Sequence, residues 1–185
     1  MKKIIIVIAC SLALVGCSAK TVLKWEDAEF DNSASNYHNI TFHKINNWEE
    51  NDQSDLINFY PFGKANEASG IMTISYIVDI ENLTQNIKEQ HNSAAYQAAV
   101  NQASKNIVEN KEVVENSTQI NGNDYYTVSY LCESSKTPSK AVTITTINLY
   151  IGNSFYLING MIDKNFSNQF KVALVSFTKY IDKKQ

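Results

Sequence analysis

Residues 155–162 constrain the fold of this chain more than any other segment. Successive side chains of an extended strand point to opposite faces, so Phe155, Leu157 and Met161 share one face while Tyr156, Ile158 and Ile162 share the other. A strand that is apolar on both faces must be covered on both. The run 141–151 reaches it through Gly152-Asn153, and the runs 112–120 and 125–132 are joined through Asn121-Gly122. Both dipeptides are two-residue turn signals, so two tight antiparallel hairpins are predicted.

The two covers are also legible. Leu83, Ile87, Ala94, Ala95, Ala98, Ala99, Ala103 and Ile107 recur at three-and-four spacing, which predicts a helix whose small, Ala-rich stripe lies close to a sheet. Asn82 is its expected cap, with Gln85 nearly completing a capping box. Phe166, Phe170, Leu174, Phe177 and Ile181 mark a second helix with a bulky stripe. Lys179, Lys183 and Lys184 suit its C-terminal end, where the backbone dipole favours cations. Upstream, Met72, Ile74, Tyr76, Val78 and Ile80 alternate with Thr73, Ser75 and Asp79 as a strand with one wetter face. Strands are also predicted at 39–45 and 56–62, separated by a loop through Trp48 and the acidic residues 49–55. The expected class is α+β, an antiparallel sheet of six to seven strands sandwiched between two helical layers.

The chain opens with an address. Lys2-Lys3 and the apolar run from Ile4 to Ala13 have the layout of a secretory signal, and Leu14-Val15-Gly16-Cys17 closes it in the pattern of a bacterial lipoprotein cleavage site. A run this short does not span a hydrocarbon core, which takes roughly 20 residues. Cleavage before Cys17 and acylation of its thiol would hold the protein on the bilayer, since each buried CH₂ contributes about 0.8 kcal/mol and two or three chains suffice for stable anchoring. Ser18 stands where an Asp would signal retention in an inner membrane, so the expected destination in a two-membrane host is the outer membrane, facing the periplasm. The organisation expected is a signal peptide at 1–16, a lipidated Cys17 with a flexible tether to residue 36, and one globular domain at 37–185. As a random coil the tether would reach roughly 25 Å.

Charge and cysteine content narrow the partners. All sixteen basic residues are lysines, so the guanidinium fork that grips phosphate bidentately is missing. Without Lys2 and Lys3, fourteen lysines face nineteen acids, a net charge of −5 that disfavours nucleic acid. Cys10 leaves with the signal and Cys17 takes the lipid, so Cys132 has no partner for an internal disulfide; at the end of an alternating apolar run it is expected as a small buried hydrophobe.

Three local patterns resemble one family. Ile45-Asn46-Asn47-Trp48 follows the first strand where the PsbP and DcrB group tends to have an Ile-Pro-x-x-Trp corner, with Asn46 in place of the proline. Gly152 to Ile158 is similar to that group's glycine turn before an aromatic-rich strand, and Phe166, Phe170, Leu174 and Ser176-Phe177 to its terminal helix. The likeness covers residues 37–182. It implies a helix-sheet-helix sandwich used for binding or accessory work, commonly without catalysis. Nothing in the chain matches the metal or partner residues of the photosystem members, so those activities are not carried over.

Chemistry is sparse. No glycine-rich phosphate loop, HExxH helix or paired-cysteine pattern is present, so no cofactor is expected. Gly152-Asn153-Ser154 starts like a nucleophile elbow but lacks the second glycine and reads as a hairpin. His38 and His43 are expected on opposite sides of one strand, and His91 near the boundary of the Ala-rich helix. Glu49, Glu50, Asp52 and Asp55 read as a solvated acidic turn with no calcium-loop spacing. Trp48, placed in a loop, is the expected anchor for a partner. The expected function is a non-catalytic accessory or protein-binding module, tied to the bilayer through acylated Cys17 and meeting an envelope protein. A small-ligand or metal carrier and an envelope hydrolase are the alternatives.

Overall fold

The computed structural model describes residues 30–46, 48–53, 55–61, 70–105, 112–134 and 137–184. Leu14, Val15, Gly16 and Cys17 lie outside them. In chain order the described elements are β1 (Phe30–Tyr37), β2 (Ile40–Ile45), β3 (Trp48–Gln53), β4 (Leu56–Pro61), β5 (Gly70–Asp79), α1 (Gln85–Lys105), β6 (Val113–Ile120), β7 (Asn123–Ser134), β8 (Thr137–Ile151), β9 (Ser154–Asp163), a 3₁₀ turn at Lys164–Phe166, α2 (Ser167–Lys179) and β10 (Asp182–Lys183). Among these, seven strands form one antiparallel sheet in the order β3-β4-β5-β9-β8-β7-β6, and β1-β2-β10 form a second.

The double-faced strand sits where its composition demands, in the middle of the large sheet between β5 and β8. Tyr156, Ile158 and Ile162 join one core with Ile57, Phe59, Met72, Ile74, Ile147 and Leu149, and α2 closes it with Phe170, Leu174 and Phe177. On the opposite face Phe155 and Leu157 pack with Tyr150, Ile80 and Leu83. Beside them Ala99 and Ala103 of α1 rest on Tyr126, Val128 and Tyr130. Gly160 is the point of closest approach: a Cβ there would lie 2.4 Å from Cε1 of Phe170, so a bare backbone lets the α2 ring reach the sheet.

Among the described residues, α1 and the turn before it cover one face of the large sheet, whereas the layer on the α2 side is mixed. Tyr37, Ile40, Phe42 and Ile45 of the small sheet enter the same core as α2. Phe42, Phe59 and Phe177 meet there in a triangle of rings, each pair of centroids 5.8 Å apart. The strand expected at 39–45 therefore lies over the large sheet instead of within it.

Four other local expectations change. Phe30–Tyr37, the last part of the segment read as a tether, pairs antiparallel with β2, which supplies its polar residues with a backbone ladder that composition does not advertise. The acidic loop after Trp48 is the edge strand β3, in register with β4 from Trp48↔Pro61 to Gln53↔Leu56. An edge strand tolerates exposed charge, so poor strand propensity at Glu49, Glu50 and Asp52 does not prevent pairing. Asn82 adopts a left-handed turn with φ 58°, and Thr84 caps α1 instead, its Oγ1 accepting the Ile87 N–H at 3.4 Å. Finally, α2 ends at Lys179, and Lys183 belongs to β10. The two hairpins form as predicted: Ile120↔Asn123 and Ile151↔Ser154 are the closing pairs, and Asn121 and Gly122 both take positive φ, 53° and 78°.

Candidate binding cleft

The end of α2 builds a cleft against two turns. After Lys179 the chain tightens, with the Tyr180 N–H donating to Phe177 O at 3.0 Å, and Ile181 is fully buried. That anchor swings Asp182 and Lys183 alongside Thr41 and Ile40 of β2, and the Lys184 N–H donates to Asn39 O at 2.8 Å. The β6–β7 turn is tied to the same helix end. Asn121 Nδ2 donates to Lys179 O at 2.8 Å, and the buried Tyr125 hydroxyl donates to Thr178 O at 2.8 Å. Burial pushes the Tyr125 phenol well above its ordinary range, so it remains a donor at every physiological pH. These bonds satisfy carbonyls that a helix C-terminus otherwise leaves open.

Between these parts lies a cleft of about 740 Å³ lined by Thr41, Asn121, Asn123, Asp182, Lys183 and Lys184. The lining is two ammoniums, two amides, one hydroxyl and one carboxylate. Such a set recognises polar groups by hydrogen bonding and charge. Every lining residue is fixed by backbone pairing or a closed hairpin turn, so the cleft is preformed. The sequence hid it because Asn121 reads as a turn residue and Lys183 and Lys184 as complements of a helix end.

The residues singled out from the sequence distribute otherwise. Trp48 is not a loop anchor: it opens β3, is 7% exposed, and its ring stacks on Phe170 at 5.9 Å with planes 4° apart. An indole beside an open core face gains more from burial than from a place in solvent. Strand alternation turns Glu49 away from Glu50 and Asp52, and Glu50 is paired with Lys44 at 2.7 Å. Among the described residues no three of the His, Cys, Asp and Glu side chains are grouped to hold a metal ion. Ser154 is buried, and its hydroxyl donates to Asp79 Oδ1 at 2.6 Å, bracing the β8–β9 hairpin. Cys132 is half-buried beside the aromatic cluster under α1.

The histidines also depart from expectation. His38 occupies the β1–β2 turn with φ 49°, stacked on Tyr76 at 4.3 Å, so it does not share a continuous strand with His43. His91 lies within α1 and stacks on Phe155 at 4.9 Å, and Phe155 stacks on Tyr150 at 5.1 Å. Its Nδ1 is buried without a hydrogen-bond partner, and burial lowers its pKa. Around this stack Lys88 reaches Asp124 at 2.5 Å and lies 5.5 Å above the Tyr150 ring, while Asn148 Nδ2 donates to Asn92 Oδ1 at 2.9 Å. The Lys88 hydrogen bond holds the Asp124 carboxyl below the usual carboxylate range. These contacts dock α1 on the sheet.

No protein-family model matches the chain, and no curated protein sequence does either. Among solved structures, cyanobacterial PsbP (CyanoP) from Synechocystis sp. PCC 6803 matches with TM-score 0.56 at 12% identity, over 91% of this chain and 98% of that one. The Saccharomyces cerevisiae Ran-binding protein Mog1p matches with TM-score 0.48 at 10% identity, over 83% of this chain and 95% of that one. LpqN, involved in cell envelope biogenesis of Mycobacterium tuberculosis, matches with TM-score 0.49 at 8% identity, over 79% of this chain and 83% of that one. The class is an α+β PsbP-like fold. The likeness to CyanoP is one of fold alone. Among the described residues no helix is long and apolar enough to cross a membrane.

Proposed function

We propose that this protein is a bacterial lipoprotein whose PsbP-like domain serves as a non-catalytic accessory module, binding an envelope protein through the cleft between the end of α2, β10 and the β6–β7 turn. The cleft carries the reading: it is preformed, polar and lined by donors from both sides, a chemistry of recognition. Leu14-Val15-Gly16-Cys17 supports an anchor, with acylated Cys17 in the bilayer and, in a two-membrane host, the domain facing the periplasm. The test uses the full chain in cells. A photo-crosslinking residue at Asn123 is expected to capture one recurring envelope protein, whereas the same residue at Asn51, on the far edge of the sheet, is not. Mass spectrometry of the mature N-terminus is expected to show acyl chains on Cys17, and Cys17→Ser to release the protein from membranes. Equal crosslinking at both positions would remove the assignment to the cleft, and an unmodified Cys17 would remove the anchor.

A further inference from the structure

The large sheet ends in two edges of opposite character. β3 carries Glu49, Glu50 and Asp52 in six residues, and charge of this density is a usual guard against strand addition. β6 is longer, at eight residues, and Val113–Ile120 contains neither lysine nor proline. Its register with β7 runs unbroken from Val113↔Tyr130 to Ile120↔Asn123, so no bulge twists the edge away. Glu115 is its one charge, and that carboxylate accepts the Tyr126 hydroxyl, which draws it over its own sheet. Burial, and then this carboxylate, hold the Tyr126 phenol protonated. Among the described residues no strand pairs with the outer side of β6, and Val114 is 49% exposed.

We infer that β6 pairs antiparallel with β6 of a second copy of this chain, joining two seven-stranded sheets into one. The backbone fixes the register. In a two-residue hairpin the closing pair exchanges both hydrogen bonds, so Ile120, Thr118, Asn116 and Val114 direct their N–H and C=O groups to β7. Val113, Glu115, Ser117 and Gln119 direct theirs outward. Outward residues pair with outward residues when the two-fold axis passes through Asn116 or Ser117, which sets Glu115 opposite Ser117 or Gln119 of the other copy. An axis at Glu115 would oppose two carboxylates and is disfavoured. The same pairing at β3 brings Glu49 and Asp52 of each copy together, Glu50 being paired with Lys44, so charge admits a second copy at β6 and repels it at β3. The contact is isologous, as a closed dimer requires. It rests on the edge alone and is independent of the cleft and of the anchor.

The full chain, expressed in cells, tests this through variants that each add one cysteine. Oxidation of Asn116→Cys or Ser117→Cys is expected to give a covalent species of twice the protein mass, because facing Cα atoms in such a pair lie within disulfide reach. The unsubstituted chain with its own Cys132, and Asn51→Cys on β3, are expected not to. Sedimentation of the full chain in detergent is expected to show a dimer that Ser117→Pro returns to monomer. Its N–H faces outward, so proline there spares the ladder to β7 and the circular dichroism should be retained. No crosslink at either β6 position, a crosslink to a different protein instead, or a monomer at all concentrations would each overturn the inference. The cysteine result decides the matter even where Ser117→Pro fails to fold.

Discussion

His91 and Gly160 show how much rests on single positions. The imidazole is held neutral against Phe155, and burial lowers its pKa from 6.5, so the unfolded chain takes up a proton there before the folded one does. Its contribution to stability is complete above the ordinary pKa and is lost as pH falls below it. Urea unfolding from pH 7 to pH 5 is expected to show a declining midpoint, and His91→Phe to flatten that decline; an equal slope in both proteins would reject the assignment. The Asp124–Lys88 pair acts lower: its carboxyl is held below 3.8, so that contribution goes only as the solution becomes more acidic still. Gly160→Ala sets a Cβ 2.4 Å from the Phe170 ring at an interior position. A loss of roughly 1–3 kcal/mol is expected, as for overpacking in a filled core, measured as a lower denaturation midpoint at unchanged slope.

At the scale of elements, turns and helices differ in what holds them. A Cβ at Gly122 meets no atom within 4 Å, so Gly122→Ala isolates the cost of a left-handed residue with φ 78°. That cost should be about 1 kcal/mol by thermal melting. Asn121→Ala tests the neighbouring residue for its bond to Lys179 O, and should loosen β10 along with the turn. The two helices bury unlike material. α2 inserts Phe170, Leu174 and Phe177, whereas among the described side chains of α1 the buried ones are Ala99 and Ala103. Apolar area sets the free energy of docking, so α1 should open more readily. Hydrogen exchange should therefore be faster in α1 than in α2, β8 and β9; equal protection would show that the Lys88, His91 and Asn92 contacts hold the helix as firmly as a phenylalanine stripe does.

Across the whole molecule, the seven-stranded sheet separates one large core from two smaller clusters on the α1 side. The large core joins α2, the small sheet and β3 to β5, and its aromatic triangle of Phe42, Phe59 and Phe177 links three parts of the chain that are far apart in sequence. The cleft stands at the edge of that core, because burial of Ile181 brings the C-terminal lysines back over β2.

What the sequence determined by itself was whatever periodicity and turn chemistry encode over a few residues. The two-faced strand after Gly152-Asn153, the hairpin at Asn121-Gly122, the strands at 56–62 and 72–80 and the apolar stripe of α2 were all legible, since each is a local pattern of side chains. Only the tertiary structure decided that Phe30–Tyr37 is a strand, that Glu49 to Gln53 pair at an edge, and that Trp48 lies inside. β1 and β3 each close a hairpin with the next strand, at Tyr37↔Ile40 and Gln53↔Leu56, but their polar and acidic residues hide the alternation that marks a strand, and which face a large ring meets leaves no local signature. The cleft belongs with them: Thr41, Asn121 and Lys183 are neighbours because two strands of the small sheet and one hairpin turn meet at one helix end.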